Sequence, residues 1–133
     1  MINYITLGSN DLARSARFYD AALAPLGYAR LVGTDEELGY GRPPAEGEKR
    51  KCWLWVLKPF NGQPATSGNG VDLAFAAPSR AAIDAFHAAA LAHGGSDEGA
   101  PGLRLRYSPT FYTAYVRDPD GNKLNAVFDL PLP

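Results

Sequence analysis

Slid against itself by 68 positions, the sequence aligns without a gap from Tyr4/Asp72 to Gly27/Gly95. Ala13/Ala81, Phe18/Phe86, Ala21/Ala89, Ala22/Ala90, Leu23/Leu91, Ala24/Ala92 and Gly27/Gly95 are identical pairs. Alanine inflates such a score, because both segments are rich in it. The shared order of strand, cap, helix and glycine is the stronger sign of a repeat. A chain built this way folds as two copies of one supersecondary unit.

In the first copy "NYITLG" suits a strand, and Asn10 or Asp11 is placed to cap the helix that follows. Leu12, Ala16, Tyr19, Leu23 and Leu26 recur at steps of three and four, which makes one apolar stripe. Gly27 then ends the helix. In the second copy "GVDLAFAA" is the strand, Pro78 and Ser79 open the helix, and Ile83, Phe86 and Ala90 form the stripe. Gly94-Gly95 stops it. Three short extended segments follow each helix: "GYARLVG", "ELGYG" and "KCWLWVLK", then "GLRLRY", "FYTAYVRD" and "KLNAVFD". "EGEKRK" (46–51) reads as a solvated hairpin loop and "GSDEGAPG" (95–102) as another loop. "KPFNGQPATSGNG" is rich in turn formers and reads as the connection between copies.

The expected architecture is therefore α+β, with two tandem βαβββ modules over residues 1–58 and 69–133 and a linker at 59–68. Their sheets can lie side by side, helices outside, around a concave strand-lined cleft. Alternation then turns every second strand residue toward that cleft.

The length of 133 residues suits one compact domain. A formal charge of −1 supplies no basic field for nucleic acid and no polybasic membrane surface. No apolar run approaches the roughly 20 residues that cross a bilayer, and "MINYITLGSND" lacks the pattern of a secretory signal. Cys52 is alone, so an intrachain disulfide is impossible and a reducing cytoplasm is the expected home. The thiol either reacts or serves as a small buried hydrophobe, and no histidine stands near it in sequence.

"YVRDPDGNKLNAVFD" (115–129) reads as strand, turn and strand, with Pro119 and Gly121 setting the turn. Together with "DLARSARFYDAALAPLGY" (11–28) and "GVDLAFAAPSRAAIDAFHAAALAHGG" (70–95), it carries a resemblance that spans essentially the whole chain. The chain resembles the vicinal-oxygen-chelate superfamily: glyoxalase I, extradiol dioxygenases, fosfomycin-resistance enzymes and bleomycin-resistance proteins. The resemblance implies the glyoxalase/bleomycin-resistance fold and, in its enzymes, one divalent metal held by the first and last strands of both modules.

Matched to that pattern, the first strands offer Tyr4 and Asp72 where histidine is usual, and the last strand offers Asn125 where glutamate is usual. The fourth position is Trp55 or its same-face neighbour Trp53, with Cys52, Leu54 and Val56 read onto the other face. Imidazole and carboxylate donors are what such metals need, and Asp72 alone among these is a strong donor. No cofactor is expected, and a divalent metal is the less favoured alternative. His87 and His93, the two histidines, fall in or beside the second helix and are expected to be ordinary helix residues.

Asp72 can act as a general base if its pKa is raised, or merely shape a pocket. Tyr4, Asp72 and Asn125 form a polar cluster that either binds a ligand or satisfies itself. Trp53 and Trp55 give an apolar wall if they face the cleft, or else pack under the first helix. Arg104 and Arg106 either aim cations at an anionic ligand or lie on a solvated edge. Tyr107, Phe111, Tyr112 and Tyr115 divide between cleft and core, with Tyr112 taken for the cleft. The expected function is binding of a small organic ligand at a degenerate metal site, as bleomycin-resistance proteins bind without chemistry. The alternative is a glyoxalase- or lyase-like enzyme with Asp72 and Tyr4 as acid and base, or a weak divalent-metal enzyme. A homodimer is expected from the resemblance, with modules pairing within one chain or across two.

Overall fold

A computed structural model describes residues 1–130, so the last three residues of the expected second module lie outside the described residues. Strand β1 (Ile5–Gly8) leads into helix α1 (Leu12–Leu23) and then into β2 (Ala29–Gly33), β3 (Glu37–Gly41) and β4 (Leu54–Leu57). The order repeats in β5 (Leu73–Ala76), α2 (Arg80–Ala92), β6 (Ser96–Leu103), β7 (Tyr112–Arg117) and β8 (Lys123–Phe128). The fold is α+β, two tandem βαβββ modules. Each module closes its own four-stranded sheet, ordered β1-β4-β3-β2 and β5-β8-β7-β6. In both sheets the first strand runs parallel to the last, and the other pairs are antiparallel.

Local chemistry sets the helix ends. Asp11 is extended and its carboxylate accepts the Arg14 N–H at 3.0 Å, which settles the cap between Asn10 and Asp11. Ser79 does the same for α2, taking the Ala82 N–H at 3.1 Å. Helix α1 stops earlier than the expected Gly27: Ala24–Leu26 tighten into a 3-10 turn around Pro25, and Gly27 closes it at φ 88°.

Leu12, Phe18, Tyr19, Ala22 and Leu23 of α1 and Ile83, Phe86 and Ala90 of α2 are buried in one continuous core with Leu54, Val56, Leu124 and Ala126. The helices meet closely. A Cβ on Gly95 would stand 2.6 Å from the Phe18 ring and 2.8 Å from the Ala90 carbonyl oxygen, so only a hydrogen fits there. The Asp118–Gly121 turn grips the start of α1 from the other module. Asp120 accepts the Asn10 N–H and the Arg14 guanidinium, each at 2.9 Å, and the Ser15 hydroxyl at 3.2 Å.

One segment differs from expectation. "GSDEGAPG", read as a loop, supplies nearly all of β6, whereas "RLRY" (104–107) leaves the sheet in a turn. The pairing of β6 with β7 slips twice, between Asp97 and Gly99 and between Gly99 and Gly102. Those bulges break the alternation by which a strand is recognised.

Candidate functional site

Register places the residues that sequence alone could only bracket. Ile5 pairs with Leu54, and its counterpart Leu73 pairs with Leu124. Trp55 is therefore the equivalent of Asn125, and the fourth family position is Trp55 rather than Trp53. Leu54 and Val56 point into the core beneath α1, so Trp55 takes the helix-free face. It does not pack under the helix. Its ring occupies the space over Gly39, where a Cβ would meet it at 2.8 Å. Cys52 joins it on that face, with Sγ 2.7 Å from the same point. The expected placement of Cys52 with Leu54 and Val56 is thus corrected, because the chain is irregular before β4 begins. Burial pushes the Cys52 thiol pKa up, as befits a small hydrophobe.

Tyr4 and Trp53 border a cavity of about 180 Å³ with Tyr28, Leu73 and Phe75, at the junction of β1 and β5. Both are well exposed, at 57% and 56%. Asp72 and Asn125 border a different, open depression on the second sheet, shared with Tyr107, Phe111 and Tyr115. Within one chain the expected cluster of Tyr4, Asp72 and Asn125 is divided between these two places.

Asn125 lies at the floor of its depression and is 2% exposed. Its Nδ2 donates to Thr113 Oγ1 at 3.1 Å, and that hydroxyl donates onward to the Ala126 carbonyl at 2.7 Å. Among the described residues no donor reaches Asn125 Oδ1. A buried acceptor left in this state costs about 1–3 kcal/mol. Above it, burial holds the Asp72 carboxyl above the usual carboxylate range, while Lys123 pulls it the other way. The Lys123 ammonium sits 5.2 Å from the centre of the Tyr115 ring.

Both arginines lie over rings that wall the depression. Arg104 donates to the Ala100 carbonyl at 2.8 Å and lies over Tyr115, and Arg106 lies over Tyr107. Tyr112 turns to the helical side, where its hydroxyl donates to Asp84 at 2.6 Å. Its expected place in the cleft is corrected: Thr113 and Tyr115, one step to either side of Ala114, carry that face. His87 pairs with Asp97 at 2.8 Å and His93 with the Ala89 carbonyl at 2.8 Å, both at α2. Thr113 and Lys123 were missed by sequence reasoning. Their signal was present in the alternation with Tyr115 and Asn125, once the register of β7 and β8 is known.

The four family positions thus carry a phenol, an indole, one carboxylate and one amide. Among the described residues no three histidine, cysteine, aspartate or glutamate side chains gather at one point. This donor set does not fit a divalent metal of the kind the family uses.

Two strand–helix–three-strand modules with paired first and last strands define a class of protein that has hosted several chemistries on one scaffold. The chain belongs to the Glyoxalase/Bleomycin resistance protein/Dioxygenase superfamily, whose profile matches residues 1–126. It is 43% identical to a glyoxalase/bleomycin resistance protein from Albidiferax ferrireducens T118, with a TM-score of 0.79 over 93% of this chain and 94% of that one. A glyoxalase-related enzyme from Fulvimarina pelagi shares 24% identity and the fold, at TM-score 0.72 over 97% and 88% of the two chains. A family enzyme from Burkholderia phytofirmans PsJN shares the fold at 18% identity, with TM-score 0.69 and coverage of 97% and 98%. A comparison with curated proteins finds no match.

Proposed function

We propose that this protein binds a small organic molecule on the helix-free face of its second sheet, without a resident divalent metal. The observation that carries this reading is the Asn125 acceptor, buried and uncommitted at the floor of a depression walled by Tyr107, Phe111 and Tyr115. Concave aromatic surface with one or two aimed polar atoms is what small-ligand sites are made of. The donor set at the family positions supports the metal-free half of the reading.

The working unit in this reading is a homodimer. Tyr4 and Asp72 are equivalent positions yet border separate depressions, and a second copy can bring a first-module face over a second-module face. The cytoplasm is the proposed location, since the lone Cys52 is buried and has no partner to oxidise with. Among the described residues no helix is long and apolar enough to cross a membrane.

A second reading, catalysis with Asp72 as general base, is favoured by its raised pKa. Metal analysis of the purified protein, together with thermal-shift screening of a small-molecule library, tests both halves of the first reading. A divalent ion retained in stoichiometric amount would sink the metal-free half. A library without a single stabilising compound would sink the other. Any hit is then followed by NMR for chemical change: turnover abolished by Asp72→Asn favours the second reading.

A further inference from the structure

We infer that the depression on the second sheet takes a small aromatic anion of the aryl carboxylate type, its ring on the tyrosine wall and its charged head among Arg104, Arg106 and Lys123. The inference deepens the binding function proposed above and rests on it. Its basis is the seating of three cations at two rings. The Arg104 guanidinium lies 5.8 Å from the centre of the Tyr115 ring, and the Lys123 ammonium lies 5.2 Å from the same centre. Arg106 lies 5.0 Å from the centre of the Tyr107 ring. Both rings wall the depression. Among the described residues none of the three cations forms an ion pair. Like charges gathered without a carboxylate partner repel one another, and an anion set among them turns that repulsion into attraction.

Arg104 is held in place rather than loose in solvent. Its Nη2 donates to the Ala100 carbonyl at 2.8 Å. The bulged strand β6 makes room for it with glycine: a Cβ on Gly99 would stand 3.2 Å from Nη2, and one on Gly102 would stand 3.3 Å from Nη1. A guanidinium stacked on a ring still offers N–H groups at its edge to a carboxylate. Burial pushes the Tyr115 pKa up, Tyr107 and Asp72 add to this, and Arg104 and Arg106 pull it down, so both guanidinium charges act at that hydroxyl.

The carboxylates of the depression stand apart from the arginines. The sheet order β5-β8-β7-β6 puts Asp72, just ahead of β5, at one side and Arg104 and Arg106, just beyond β6, at the other. Lys123 stands between them on β8; burial raises the Asp72 pKa and Lys123 draws it back. Asp129 already accepts from Ser108 and Thr110, each at 2.7 Å. The head of an anion therefore belongs toward β6, with its ring against Tyr115 and Phe111.

Benzoate, benzyl alcohol and benzamidine share one ring and carry an anionic, a neutral and a cationic head; acetate carries the anionic head alone. Each is titrated into the full-length protein at low ionic strength, following the ring resonances of Tyr107, Phe111 and Tyr115 by NMR. Benzoate is expected to bind at least about tenfold more tightly than any of the other three, the factor typical of one charge-assisted hydrogen bond. Arg104→Met keeps an apolar stem on the Tyr115 ring and removes the charge. It should bring benzoate down to the level of benzyl alcohol and leave benzyl alcohol as it was. Lys123→Met, which acts at the same ring from β8, reads out the same loss if the Arg104 variant folds poorly. Benzyl alcohol, benzamidine or acetate binding as tightly as benzoate, or a benzoate affinity unmoved in both variants, overturns the inference while leaving small-molecule binding intact. If none of the probes perturbs these resonances, binding at this face fails and the inference falls with it.

Discussion

The Tyr19 hydroxyl donates to Asp118 Oδ2 at 2.5 Å, joining the first helix to the turn between the last two strands, 99 residues away. Both groups are buried, and burial, then the Asp118 charge, pushes the Tyr19 pKa well above its ordinary value. The other Asp118 partners are Asn122 Nδ2 and the backbone N–H groups of Asp120 and Asn122, each at 2.9 Å. One carboxylate thus holds its own turn in shape and anchors it to the opposite module.

Tyr19→Phe should lower unfolding stability by about 1–3 kcal/mol, the usual cost of stripping one partner from a buried charged acceptor. Chemical denaturation followed by far-ultraviolet dichroism measures it. No change in midpoint would show that the remaining three donors satisfy Asp118 by themselves.

Gly39→Ala forces a methyl against Cys52 Sγ and the Trp55 ring, at 2.7 and 2.8 Å. The expected loss is about 1–3 kcal/mol, as in other overpacked sites. Because Trp55 must move to make room, its fluorescence emission should shift as well. An unchanged spectrum with unchanged stability would argue against this packing.

Asp72 has a pH signature of definite sign. Its folded-state pKa is raised by burial, so the folded chain holds that proton more tightly than the unfolded chain. Ionised Asp72 therefore costs stability at neutral pH, and the cost fades as pH falls through the raised value toward about 4, the unfolded value. Asp72→Asn should be the more stable protein near neutrality, with the gap closing toward about pH 4. Melting temperatures of the two proteins across that window decide the matter; a gap that widens on acidification has the wrong sign.

Tyr112 and Tyr115 offer a test of which face binds. Tyr115→Ala removes part of the aromatic wall and should weaken a ligand found by the thermal-shift screen by about 0.5–1.5 kcal/mol. Tyr112→Phe breaks only the contact with Asp84 and should leave that ligand's affinity as it was. The reverse pattern would move the site to the helical side.

The duplication was legible in the sequence and survives intact: β1 and β5 begin at Ile5 and Leu73, and α1 and α2 at Leu12 and Arg80, at the same spacing as the aligned residues. Caps and apolar stripes were local signals, and they read true. Strand β6 was hidden because its bulges, with Pro101 and three of its neighbours glycine or alanine, imitate a loop. The site was legible as a set of equivalent positions but not as a place. Register named Trp55, and only the folding of long side chains showed that Arg104 and Arg106 cover tyrosines. Tyr112 was misassigned by a single step along β7, and in a strand a single step reverses the face.

Among the described residues no strand of one sheet bonds to a strand of the other; the halves meet through α1, α2 and side chains such as Tyr19 and Asp118. Every main-chain ladder is consequently complete within half a polypeptide. The connection across residues 59–68 acts as a tether whose task is to keep two partners at high local concentration. Cut there, the halves would still carry the full lock between them, and two separately made fragments should find each other and reassemble.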